Sequence, residues 1–185
     1  MTAYCPVAPG HPLHGRYHET EYGFPATEES VLFERLVLEI NQAGLSWQTI
    51  LRKRPAPRAA FADFEVDRVA AFGTYDVARL LADAGIIRNR QKIDAVIANA
   101  QRIQELRASN GSFDRWLEAH HPLPLTDWTR LFRRTFRFTG GLIVHEFLMS
   151  LGYLAGAHEQ DCPVYNRVLA LSPPWSSTTA SMSKD

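Results

Sequence analysis

Cysteine is scarce in this chain: only Cys5 and Cys162 occur among 185 residues. Two cysteines cannot supply the disulfide framework of a small secreted scaffold. Long apolar runs are missing too. Those present, such as Leu142-Ile143-Val144, fall far short of the roughly 18 to 20 residues that a membrane-spanning helix needs. Charge of either sign is not in excess, since Lys plus Arg and Asp plus Glu both total 20. Any contact with a polyanion must then be local, through Arg52-Lys53-Arg54, through Arg88, Arg90 and Lys92, or through Arg130, Arg133, Arg134 and Arg137. Glycine-rich phosphate loops are absent as well. Gly140-Gly141 is the only such pair and lacks the rest of a nucleotide fingerprint. The run His145-Glu146-Phe147-Leu148-Met149 lacks the second histidine of a zinc-protease helix. No segment alternates polar and apolar residues between turn signals, which excludes a recognisable sheet.

What is present reads as helix. Residues 1 to 26 are rich in proline, glycine and histidine and predict an ordered but irregular segment. The beginning, Met1-Thr2-Ala3-Tyr4-Cys5-Pro6, lacks the basic and apolar regions of a secretory signal, so a cytoplasmic location is expected. Thr27 can cap a helix with Glu28 and Glu29 in its first turn, running to Gln42 before Gly44. A second stretch follows from Trp47 to Arg54, interrupted by Pro55 and Pro57. Short helical patterns come near 65 to 72 and 75 to 83. From Asn89 to about Arg107 the apolar residues Ile93, Val96, Ile97, Ala100 and Ile103 mark a long amphipathic helix. Further helices are expected at 112 to 119, 127 to 136 and 141 to 154. The fold class is all-α, with a single helical domain over 1 to 165 and a tail over 166 to 185 that is polar and disordered toward its end.

Four features could carry chemistry. Leu32, Leu36 and Ala43 mark an inward stripe on which Glu39 falls; a carboxylate there is either paired with an arginine or part of a site that uses it. Gly44 permits a tight turn and Ser46 can cap the helix beyond. Leu45 and Trp47 beside that turn either plug the core or act on a base stack as wedge and stacking plate. The segment from Leu81 to Lys92 sets Gly85 between two helical patterns. It resembles a helix-hairpin-helix, which offers backbone N–H groups to a phosphate. Finally, His158 and Cys162 lie four residues apart and can share one face, while His18 follows Cys5 by thirteen. Two such pairs could complete a tetrahedral Cys2His2 metal site, although buried unligated cysteines would also account for them.

Taken together, Cys5, the run from Tyr17 to Gly23, the run from Leu38 to Trp47, Asp83 to Arg88, and His158 to Cys162 resemble the bacterial DNA-3-methyladenine glycosylase I family. The resemblance spans residues 4 to 163. It implies a helix-hairpin-helix glycosylase fold and base-excision repair of alkylated duplex DNA by a monomer that hydrolyses the N-glycosidic bond of a flipped 3-methyladenine. A structural zinc on Cys5, His18, His158 and Cys162 would join the two ends of the chain. The same resemblance makes Glu39 the catalytic, base-recognising carboxylate, with Tyr17, Tyr22 and Trp47 around the base. Gly44 and Leu45 become the wedge turn, and Gly85, Ile87, Arg88 and Lys92 the phosphate anchor. Two departures matter. The family has tryptophan two residues after the first cysteine, where this chain has Val7, and Glu-Trp-Gly where it has Glu21-Tyr22-Gly23. Base stacking is worth about 1 to 3 kcal/mol per base, so a different alkylated purine, or lesion binding without turnover, are the competing expectations.

Overall fold

The computed structural model describes residues 4–177, and among these every regular element is helical. The principal α-helices are, in order, α1 (His14–Thr20), α2 (Glu29–Gln42), α3 (Trp47–Lys53), α4 (Pro55–Ala60), α5 (Val66–Ala70), α6 (Thr74–Ala82), α7 (Arg90–Asn110), α8 (Phe113–His120), α9 (Leu125–Thr135), α10 (Gly141–Ser150) and α11 (Pro163–Leu169). The chain divides into two compact units. One comprises Thr27–Val144, and the other Met1–Ala26 with His145–Asp185.

In the unit from Thr27 to Val144, α2 is the central helix. Its residues from Leu32 to Asn41 are all buried, so the one-sided stripe read from the sequence is a helix enclosed on every side. Helix α7 packs along α5 and against α6 and α8, and α2 touches α3, α5, α7 and α8. Aromatic edges fill the joints. Phe33 meets Phe64 at 5.9 Å and 90°, while Trp116, Phe132 and Phe136 pack with centroids 5.4 to 5.6 Å apart. Asn89 caps α7 by accepting from the Lys92 N–H at 3.1 Å, and Ser46 caps α3 by accepting from that of Thr49 at 3.2 Å.

In the other unit, Cys5, Cys162, Val164 and Val168 form a small core against Phe24. Gly23 has φ +81°, and a Cβ there would meet the Ala157 Cβ at 2.8 Å, so the turn before His158 is built for glycine.

Three local expectations are corrected. The first 26 residues contain α1. Glu28, not Thr27, stands at the N-cap of α2. As expected, the helix from Trp47 ends before Pro55, which begins α4 at its first position, where a missing N–H costs nothing. Helix α11 runs through residue 166, where the tail was to begin, and 174–177 are helical, so Ser176 and Ser177 are ordered. Residues 178–185, on which the rest of the disorder expectation falls, lie outside the described residues.

Candidate active site and metal centre

Two carboxylates are buried on α2, and their surroundings separate their roles. Glu34 takes a bidentate pair from Arg54, whose Nε and Nη2 each donate at 2.9 Å. An arginine pairing of the kind weighed for Glu39 is thus present at Glu34, one and a half turns earlier. Glu39, only 4% exposed, lines a cavity of about 660 Å³. Gln42, the turn from Ala43 to Leu45, and Gly140 to Ile143 at the start of α10 form its other walls.

The turn after α2 is closed by the Leu45 N–H donating to the Gln42 carbonyl at 2.7 Å, with Gly44 at φ +82°. This places Leu45, 40% exposed, at the lip of the cavity. Across from it stands Leu142, also exposed. Trp47 is half-buried in the first turn of α3. Glu39, Gly44 and Leu45 therefore line one cavity.

The hairpin between α6 and α7 is present. Its Asp83 side chain accepts from the Gly85 N–H at 2.7 Å, and a Cβ on Gly85 would lie 2.9 Å from that of Ala56. Glycine is demanded there by close approach. Ile87 is half-buried and Arg88 exposed. Lys92 departs from expectation. It is 5% exposed, and its Nζ donates to the carbonyls of Asn41 at 2.8 Å and Ala43 at 2.7 Å. Its ammonium is spent on the C-terminus of α2, so Lys92 is not a phosphate contact. The apolar stripe of α7 continues back through 96 to 92, a periodicity that could have shown it facing inward.

In the unit of the chain ends, Tyr17 and Tyr22 are buried with ring centroids 5.8 Å apart. The Tyr22 hydroxyl donates to Glu146 at 3.1 Å, a partner that sequence spacing could not reveal across 124 residues. Val7 is 60% exposed.

Cys5, His18, His158 and Cys162 gather here, all buried, with their ligand atoms within 4.8 Å of one another. His18 Nε2 lies 3.3 Å from Cys5 Sγ, 3.7 Å from Cys162 Sγ and 3.1 Å from His158 Nδ1. His158 Nδ1 lies 4.0 and 3.9 Å from the two sulfurs. A tetrahedral ion with metal–nitrogen bonds of about 2.0–2.1 Å and metal–sulfur bonds of about 2.3 Å sets its ligand atoms about 3.3–3.8 Å apart, which these distances bracket. The tautomer fits as well. His158 Nε2 donates to the Tyr22 carbonyl at 2.7 Å, leaving Nδ1 with its lone pair toward the cluster. Burial, and less strongly the adjacent Cys162, push the Cys5 thiol up to about 11 against the lowering pull of the Glu159 N–H. Burial also lowers both histidines, keeping them neutral as ligands must be. The residues fit a metal.

Comparison with known proteins gives the family. A family model described as methyladenine glycosylase matches residues 7–127. The chain belongs to that family. It is 37% identical over 173 residues to DNA-3-methyladenine glycosylase 1 of Escherichia coli K12, covering 83% of this chain and 92% of the relative. It is 30% identical to DNA-3-methyladenine glycosylase of Haemophilus influenzae Rd, covering 88% and 98%. Among solved structures, a 3-methyladenine DNA glycosylase I in complex with 3-methyladenine superimposes with a TM-score of 0.80 at 30% identity, covering 87% of this chain and 96% of that one. A structure of the Staphylococcus aureus enzyme, described as giving the structural basis of 3-methyladenine recognition, gives 0.79 at 30% identity, covering 87% and 95%. The all-helical fold expected from the sequence is the fold of this family.

Proposed function

We propose that this protein is a monofunctional DNA glycosylase of base-excision repair that binds alkylated duplex DNA as a cytoplasmic monomer and hydrolyses the N-glycosidic bond of a flipped 3-methyladenine. The observation that carries the reading is Glu39, a carboxylate buried beside a cavity whose lip is a glycine turn bearing an exposed leucine. The related enzymes named for 3-methyladenine support the choice of base.

Methylation at N3 makes the nucleoside cationic, so cleavage expels a neutral base and needs little acid catalysis. The protein must select the lesion, exclude bulk solvent and admit water to the sugar. Glu39 accepts from the exocyclic amine of the base and complements its positive ring. Tyr17, Tyr22 and Trp47 supply aromatic surface. Leu45, on the turn at Gly44, fills the gap in the stack, and the hairpin at Gly85, Ile87 and Arg88 holds a phosphate. Lysine chemistry has no support. Of the three lysines in the sequence, Lys184 lies outside the described residues, while Lys53 and Lys92 donate to backbone carbonyls.

Zinc on Cys5, His18, His158 and Cys162 is a structural staple, since four protein ligands leave no open position for water. Val7 and Tyr22 motivate a second reading, in which another alkylated purine is preferred; the exposed Val7 offers a stacking surface smaller than tryptophan would. Mass spectrometry of bases released from methylated duplex DNA decides. Release of 3-methyladenine above the enzyme-free rate is expected, and a profile lacking it overturns the assignment.

A further inference from the structure

The buried ammonium of Lys92 touches more than the end of α2. Besides the carbonyls of Asn41 and Ala43, its Nζ lies 5.7 Å from the centroid of the Phe138 ring. Phe138 lies two residues before the segment from Gly140 to Ile143 that walls the Glu39 cavity, and it sits at φ +61°, strained for a bulky side chain. Its backbone is held there by Asn99 of α7, whose side chain donates to the Arg137 carbonyl at 3.1 Å and accepts from the Arg137 N–H at 2.7 Å. Both walls of the cavity are thus fastened to α7, within the three turns that follow the hairpin. A second clasp runs the opposite way. Lys53, on α3 beyond the wedge turn, donates from Nζ to the hairpin carbonyls of Ala84 at 3.0 Å and Gly85 at 2.9 Å.

We propose that Lys92 and Lys53 are positioning residues, reciprocal clasps that lock the base-reading cavity and its wedge turn in register with the phosphate-gripping hairpin. The chemistry suits the task. An ammonium has three donors and no acceptor, and it is attracted to the negative end of a helix. At Lys92 two of the three donors go to carbonyls and the charge also faces a ring, so the buried ammonium is directed into the protein. Burial lowers its pKa from the ordinary value, consistent with enclosure. The inference rests on the glycosylase reading. Its consequence is specific: loss of a clasp should spare the phosphate contacts and harm the placement of the base, where misplacement by about 1 Å can cost about a hundredfold in rate.

The test uses the full-length protein with Lys92→Met and Lys53→Met, and Ile103→Val as a core control on α7. Three quantities are read at a temperature where each variant is folded: single-turnover release from methylated duplex, affinity for an abasic-analogue duplex across a salt series, and Tm. For Lys92→Met the expected result is a fall in release of about a hundredfold with an unchanged salt slope. Lys53→Met falls less, and Ile103→Val keeps the wild-type rate. A wild-type rate in folded Lys92→Met overturns the proposal by making the residue merely structural. A salt slope reduced by about 0.9 overturns it in favour of a phosphate contact. Should Lys92→Met not fold, Lys53→Met carries the test, and a wild-type rate there refutes the clasp. Wild-type release in the same assay separates the two readings: if it is nil, the glycosylase assignment fails, and the clasps are judged on abasic-duplex affinity, which must drop at constant slope in both lysine variants.

Discussion

Replacing Glu34 by alanine removes a carboxylate whose side chain is 3% exposed and takes from the Arg54 guanidinium, itself 17% exposed, the two 2.9 Å contacts between them. Arg58, 3.7 Å from the same carboxylate, is half-exposed and can turn to water. The cost is therefore dominated by Arg54. Breaking a buried pair from one side costs about 3–5 kcal/mol because the remaining charge is left uncompensated. At about 2–4 °C per kcal/mol for a chain of this length, Tm should fall by about 6–20 °C. Thermal unfolding followed by circular dichroism reads this directly. The double variant Glu34→Met/Arg54→Met should recover most of the loss, since an apolar pair of similar volume is often neutral against a buried ion pair. Base release by Glu34→Ala, assayed well below its Tm, should match wild type. A Tm change under about 2 °C, less than 1 kcal/mol by the same conversion, or a double variant no better than the single, would refute the claim that this carboxylate is structural.

Gly44→Ala places a Cβ in open space but at φ +82°, so only backbone strain of about 1–2 kcal/mol opposes it. Unfolding should register that small loss, while base release falls further because the Leu45 turn is displaced. Zinc should be present in equimolar amount by elemental analysis. Chelation, or Cys162→Ala, should remove it and lower Tm sharply, because metal-binding energy at such a site is folding energy. Metal-free protein as isolated, with undiminished Tm, would contradict the staple.

The helices were legible because their apolar residues repeat at three and four; of the two caps read from the sequence, the structure uses Ser46, while Thr27 yields to Glu28. The element α1 escaped because seven residues among prolines and glycines give too little periodicity, and its burial of Tyr17 and His18 is a tertiary gain. The metal cluster showed only half of its logic in the sequence. The i, i+4 pair His158 and Cys162 follows from spacing, but bringing Cys5 and His18 to it is topology. Glu34 was missed because its partner, Arg54, lies on another helix. Lys92 was misread because a lysine in a basic run suggests a surface, while its register with Val96 and Ile103 on α7 pointed inward.

The central claim is that Glu39 reads an alkylated base rather than holding the fold together. Single-turnover release of 3-methyladenine from methylated duplex DNA by wild type and by Glu39→Gln, each with its Tm measured beside it, tests it most directly. The account predicts release by wild type above the enzyme-free rate, and a loss of about tenfold to a hundredfold in Glu39→Gln, the weight of a charge-assisted hydrogen bond of about 1.5–3 kcal/mol, with Tm nearly unchanged. Equal rates for the two proteins, or a loss of rate fully explained by unfolding, would contradict it.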